Sequence, residues 1–232
     1  MLELYRAGTD YAGIMADLER LVEACARALS ADGAPRGGRP GAPIDLGAPF
    51  ERLTVAEAFR RHAGIDLAAC DNDAARLAEA ARHAGLDPGP PGEPFDDVFF
   101  RVMLEVVEPR IGQERPCFLV DWPAPMAALS RVRRDDPRFA ERFELYAGGL
   151  ELANGFSELT DADEQRRRLL DEQAQRRRLG RPVHPLDERF LDALRRMPEA
   201  GGVAVGLDRL LMLLLGAETI AEVLLFPAHE FL

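Results

Sequence analysis

Two adjacent glycines, Gly148-Gly149, lie between two runs of strand-like sequence. Arg142–Ala147 alternates polar and apolar positions, and a second run opens after Gly149. A Gly-Gly pair takes the positive φ angles of a two-residue turn at little cost, so this stretch predicts an antiparallel hairpin. Cys117–Trp122 is a short apolar run between prolines and predicts a buried strand. Val203–Val205 predicts a core strand, and Val223–Phe226 a last short one.

Helices fill much of the rest. Thr9 or Asp10 can cap a helix reaching about Ser30, with Ile14, Leu18, Leu21, Val22, Cys25 and Leu29 as its apolar stripe. Thr54-Val-Ala-Glu57 is a capping box. Ala74–Ala84 reads as a helix stopped by Gly85, and Phe95–Val107 repeats apolar residues at helical spacing. Thr160 is placed to cap a long polar helix whose first turn holds Asp161, Asp163 and Glu164, favourable at the positive end of the helix dipole. Leu207–Leu215 is a very apolar helix, and Asp32–Pro49, rich in Gly, Pro and Ala, predicts an exposed loop. Antiparallel strands with helices packed on them make an α+β fold.

The 232 residues suffice for one domain spanning the chain, 1–232. The net charge is −11, and all 29 basic residues are arginine. That balance argues against broad binding to a phosphate backbone. Arg166–Arg168 and Arg176–Arg178 are local exceptions, readable as a solvated helix face or a partner contact. No apolar run approaches the roughly 20 residues of a membrane span, and the N-terminus lacks a signal pattern. Cys25, Cys70 and Cys117 lie far apart without metal spacing and read as reduced packing residues of a cytoplasmic protein. His62, His83, His184 and His229 are scattered and read as surface or structural.

Two segments carry chemistry. Glu144-Leu-Tyr-Ala-Gly-Gly-Leu-Glu151-Leu-Ala-Asn154-Gly-Phe156-Ser-Glu158 crowds three carboxylates and an amide. Gly201-Gly-Val-Ala204-Val-Gly206-Leu-Asp208-Arg209 is a glycine-rich apolar run ending in an Asp-Arg pair. Carboxylates hold divalent cations or ammonium groups, glycines admit a flat ligand, and arginine pairs with phosphate. The two glutamates flanking the turn can face each other across a hairpin, where their repulsion favours a cation between them. Together the segments suggest a site for a nucleotide and a cationic small molecule.

These segments resemble the C-terminal half of the lysine-type class II aminoacyl-tRNA synthetase catalytic domain, and within it most closely the elongation factor P–lysine ligases. Gly201–Leu213 is similar to motif 3, and Met1-Leu-Glu3-Leu-Tyr5-Arg6 to the end of motif 2. The likeness is weak over 31–110 and strong over 139–227. It implies an antiparallel sheet flanked by helices, lacking motif 1 and the first motif 2 strand with its α-phosphate arginine. On that expectation the chain alone is nearly inactive, and the family's homodimer interface lies outside it. The resemblance implies ATP and Mg2+ as cofactors. It makes Glu144 and Glu151 the metal ligands, with Leu152, Gly206 and Arg209 also on ATP and Arg209 as the catalytic cation. Glu3, Tyr5, Asn154, Phe156, Glu158 and Ala204 match the amino-acid pocket. The implied partners are lysine or β-lysine and elongation factor P. Ala204 and the Glu151-Leu-Ala-Asn154 wording fit the ligases, since the synthetases usually carry glycine at the first position and Ile-Gly within the second. The alternatives are a lysyl-tRNA synthetase fragment acting on the lysine tRNA, and an inactive remnant that binds a ligand or partner.

Overall fold

The computed structural model describes residues 1–39 and 42–227. Its strands are β1 (Leu2–Ala7), β2 (Arg36–Arg39), β3 (Ala42–Asp45), β4 (Glu51–Thr54), β5 (Cys117–Pro123), β6 (Phe139–Ala147), β7 (Leu150–Ser157) and β8 (Ala200–Val205). Its helices are α1 (Tyr11–Leu29), α2 (Val55–Ala63), α3 (Ala74–His83), α4 (Phe95–Val102), α5 (Ala162–Arg178), α6 (Glu188–Leu194) and α7 (Leu207–Leu215). Six strands form one sheet in the order β1-β8-β7-β6-β5-β4, antiparallel except for the β4–β5 pair, while β2 and β3 form a separate hairpin. The fold is α+β, as the sequence predicts.

The back of the sheet is sealed. Asp10 caps α1 by accepting from the Gly13 amide at 3.1 Å, and Ile14, Leu18 and Val22 pack with Phe143, Leu145 and Val203 of the sheet and Leu210 and Leu213 of α7. Gly201 makes this docking possible, because a Cβ there would lie 2.6 Å from Ile14 and 2.8 Å from the Asp10 carbonyl oxygen. The front is covered only at one end. There α2, α3 and α4 bury Leu53, Cys117 and Leu119 under an aromatic cluster, with Phe59 and Phe99 rings 4.8 Å apart and Phe99 and Trp122 5.8 Å apart. Front positions of β7, β8 and β1 join neither core.

Gly148 and Gly149 take φ of +60° and +76° and make the expected turn. Pairing then shifts between Leu145 and Tyr146, a β-bulge. Leu152 and Ala153 therefore both turn into the back core, while their neighbours Glu151 and Asn154 turn forward.

Several expectations change. Asp32–Pro49 is not simply exposed loop: it carries the β2–β3 hairpin, and Ile44 and Leu46 are fully buried against the back core. Small residues let the hairpin approach α7, since a Cβ on Gly37 would lie 2.9 Å from the Leu213 carbonyl oxygen. Gly and Pro content signals a turn but does not exclude strand pairing around it. Asp161, not Thr160, caps α5, its carboxylate accepting from the Asp163 and Glu164 amides. Phe95–Val107 is α4 followed by a π-turn over Met103–Val107. Val223–Phe226 adds no strand; Ile220–Val223 is a 3-10 turn capped by Thr219 and Glu222. The sequence gives no warning of β4 or of α6.

Arg166, Arg167 and Arg168 are absorbed internally, the first by Glu188 and the others by Glu164. Arg176 pairs with Glu172. The cysteines are free, with Cys70 and Cys117 buried. His62 is half-buried, His83 and His184 are exposed, and His229 lies outside the described residues. Among the described residues no helix is long and apolar enough to cross a membrane.

Candidate active site

The open part of the front face is laid out in cross-strand rows. One row aligns Glu144, Asn154, Ala204 and Glu3 across β6, β7, β8 and β1. The next aligns Arg142, Phe156, Gly202 and Tyr5. Paired residues of an antiparallel sheet share a face, so the rows form one continuous surface. All but Arg142 and Gly202 are residues to which the sequence points. Arg142 has a signal after all, because it shares the alternation of Glu144 and Tyr146.

Glu144 is only 6% exposed. Its Oε1 accepts from Arg142 Nη2 at 2.7 Å and Asn154 Nδ2 at 3.2 Å, and its Oε2 from the Tyr146 hydroxyl at 2.6 Å. Burial pushes its carboxyl above the ordinary range, opposed by the Arg142 guanidinium and the Tyr146 hydrogen bond. The expected face-to-face pairing with Glu151 does not occur. Glu144 stands opposite Asn154, and Glu151 opposite Tyr146 one row on. The two carboxylates share the face as diagonal neighbours.

Arg209, in the first turn of α7, donates through Nη1 to the Glu151 carbonyl at 2.8 Å and reaches the Glu151 carboxylate at 3.4 Å. It pairs with Glu151, not with the adjacent Asp208. Both side chains are more than a third exposed, so the pair is weak and the guanidinium can turn to a ligand. Between them opens a cleft of about 320 Å³, lined also by Asn154, Ala204, Gly206 and Asp208. Leu152 borders it through backbone only: its side chain is in the back core, and its carbonyl accepts from the Gly206 amide at 2.8 Å. A Cβ on Gly206 would meet nothing nearer than 3.6 Å, so the chain itself leaves that space open. Among the described residues no three His, Cys, Asp or Glu side chains could together hold a metal. Two carboxylates completed by ligand phosphates still suit Mg2+, which is usually held that way.

A residue that the sequence reading passed over borders this end. Glu108 opens the 3-10 turn Glu108–Arg110. Burial raises its carboxyl, Glu151 raises it further and Arg209 lowers it, so it lies within electrostatic reach of both. Its only signal in the sequence, a place before Pro109, reads as a helix end.

The other end of the surface is built around Glu158. Its amide donates to the Ala200 carbonyl at 2.8 Å, which fixes the chain as it leaves β7. Its Oε1 is buried and has no hydrogen-bond partner. Burial pushes this carboxyl up to about 7. A Cβ on Gly202 would lie 2.4 Å from that Oε1 and 2.7 Å from the Tyr5 ring, so the glycine is the floor beneath both. The Tyr5 hydroxyl is raised by burial and by the charges of Glu158 and Glu3. Phe156 is half-buried beside them and supplies an apolar wall. An orphaned buried carboxylate is unfavourable until a cation or donor reaches it. Its fit is to an ammonium group on an apolar stem.

Comparison with known proteins places the chain in a family. The family described as tRNA synthetases class II (D, K and N) matches residues 1–230. The chain is 39% identical over 229 residues to an elongation factor P–(R)-β-lysine ligase of Yersinia enterocolitica, covering 98% of this chain and 64% of that protein. It is 44% identical over 184 residues to the Salmonella arizonae protein of the same name, covering 78% of this chain and 56% of that protein. For the Histophilus somni protein, again of that name, the identity is 46% over 180 residues, 77% of this chain and 54% of that protein. The chain thus spans between about half and two thirds of the length of these curated relatives. With its sheet, its polar rows and a family match along nearly its whole length, the chain belongs to the class II tRNA synthetases of the D, K and N group.

Proposed function

We propose that this chain is the catalytic part of an ATP-dependent ligase that activates lysine or β-lysine as an adenylate and passes the acyl group to a lysine of elongation factor P. The observation that carries the reading is the buried, unpartnered Oε1 of Glu158 above Gly202 and beside Tyr5. In this reading Glu158 receives the side-chain ammonium, with Glu3 and Tyr5 at the pocket edge and Phe156 along the methylenes. The substrate carboxylate is then directed along the sheet towards Asn154 and the cleft of Arg209. There its oxygen attacks the α-phosphorus of ATP and pyrophosphate leaves. Holding both reactants in line lowers the barrier, and Arg209 counters charge on the phosphates. Glu144 and Glu151 are the residues that would hold Mg2+, which neutralises phosphate charge when bound.

The acceptor is assigned from the relatives, each named a ligase of elongation factor P. Ala204, lining the cleft beside Asn154, supports the same choice over a tRNA ligase. Exchange of labelled pyrophosphate into ATP that depends on lysine or β-lysine tests the activation step. Transfer to elongation factor P in preference to the lysine tRNA tests the acceptor. Binding of neither amino acid would refute the reading, and preferential charging of tRNA would replace the acceptor.

A further inference from the structure

Arg142 touches three separate parts of the structure, and its contacts run in opposite directions. Nη2 donates to Glu144 at 2.7 Å, while Nη1 donates to the Met126 carbonyl at 2.9 Å. Its Cζ lies 4.5 Å from the centre of the Trp122 ring, at the margin of the helix-covered core. The side chain is 15% exposed. A planar guanidinium can serve two acceptors and stack at once; a lysine ammonium cannot.

Met126 ends the 3-10 turn Ala124–Met126, and the loop that follows flanks Glu158. The Leu129 carbonyl accepts from the Leu159 amide at 2.9 Å, and Ser130 forms a β-bridge with Glu158. Arg168 of α5 donates to the Ala128 and Ser130 carbonyls at 3.0 and 2.9 Å. Ala128 sits at φ +50°, a conformation that a non-glycine residue keeps only when its surroundings hold it. The loop is therefore pinned from the Glu158 side by α5 and the end of β7. From the sheet side Arg142 holds the Met126 carbonyl, beside the Ala124 amide's hydrogen bond to the Arg138 carbonyl at 2.8 Å.

We propose that Arg142 is a positioning residue that couples the two ends of the site, fastening the 124–130 wall of the Glu158 pocket to the Glu144 carboxylate beside the nucleotide cleft. This rests on the functional reading above for what the two ends bind, but the tie itself does not. Movement of Glu144 towards a ligand in the cleft then pulls on Arg142 and resets the wall around Glu158.

Two readouts separate these layers. In the ligand-free protein, hydrogen exchange across 124–130 is expected to quicken about tenfold in Arg142→Lys and in Glu144→Gln, with the Phe59–Phe99 core unchanged. In lysine titrations, Arg142→Lys is expected to weaken binding about fivefold. The double variant is expected to be no weaker than the worse single one, because both changes cut the same tie. Exchange at 124–130 within about twofold of the parent protein in Glu144→Gln overturns the proposal, and so do additive losses in the double variant. If Arg142→Lys fails to fold, Glu144→Gln carries the exchange test alone. A parent protein that binds neither lysine nor β-lysine, yet whose loop responds to Glu144→Gln, refutes the functional reading and leaves the tie standing.

Discussion

One row of the sheet crosses two regimes. Leu53 and Leu119 lie under helices, 2% and 0% exposed, and the same row continues through Glu144, Asn154 and Ala204 to the exposed Glu3. Strand geometry is the same along it. What differs is the cover: α2, α3 and α4 close over β4 and β5 and stop near Trp122. Under the cover, apolar packing decides which residues fit. Beyond it, polar groups line the open face, and one buried oxygen among them, Oε1 of Glu158, has no hydrogen-bond partner. The covered half carries apolar packing, and the open half is where we propose ligand recognition.

The largest test of that division is Phe99→Ala. Phe99 is fully buried and packs against Phe59, Phe95, Phe100 and Trp122. Its loss is expected to cost about 3–5 kcal/mol in denaturant unfolding. A comparable stability loss from Asn154→Ala would break the division.

Glu158→Gln comes next and acts the other way. It is expected to weaken lysine binding by about 1.5–3 kcal/mol, the range for a hydrogen bond to a charged group, as read by calorimetric titration. The ligand-free protein gains. Glu158 holds its proton up to about pH 7 in the fold, against an ordinary 4.5, so the folded state binds the extra proton between those values. Stability from this group is therefore greatest at acid pH and lost as the pH rises through about 7. Urea unfolding at pH 5 and pH 8 is expected to show Glu158→Gln gaining on the parent protein by about 1 kcal/mol at the higher pH, a figure reduced for the carboxylate's partial access to water. Lysine affinity of the parent protein is expected to climb towards pH 7 and then level off.

Gly202→Ala inserts a methyl where the Glu158 oxygen and Tyr5 ring now sit. About tenfold weaker lysine binding is expected, with a stability change within about 1 kcal/mol, because a flexible carboxylate and an edge-strand ring can yield. Unaltered binding would remove Glu158 and Tyr5 from the pocket. The smallest effect is Ala204→Gly. Deleting one methyl is expected to move the ratio of α-lysine to β-lysine affinities by about fivefold towards α-lysine, near the low end of what a methylene can discriminate. An unchanged ratio would mean that Ala204 does not set this choice.

Much of this was legible before any coordinates. Alternation and the Gly148-Gly149 turn give the hairpin, capping and stop residues give α1, α3 and the start of α2, and apolarity gives α7. The same alternation should have flagged Arg142 but did not, because charge on a strand reads as solvent exposure unless its partners are known. Glu108 and β4 were hidden for a related reason: Glu108 gains its meaning from Glu151 and Arg209, and β4 from its parallel partner β5. Glycine was misread in two ways. In Gly37 and Gly38 it supports a strand pair where a loop was expected, and in Gly201 and Gly202 it makes room for the protein's own α1, Tyr5 and Glu158.

The bulge after the hairpin turn works like a frameshift in a two-letter code. Strand residues alternate back and front, so Glu151 and Asn154, an odd three positions apart, would ordinarily point to opposite faces. Leu152 and Ala153 together occupy a single back position, and the phase of everything downstream is reset by one. Asn154, Phe156 and Glu158 all inherit the new phase. Straightening the strand with both residues kept would turn all three towards the helix-packed core, whereas deleting either one would remove the bulge and leave them forward. The bulge itself, and not only the identity of its residues, sets which face the site occupies, so the apolar pair carries positional information that its chemistry alone does not reveal.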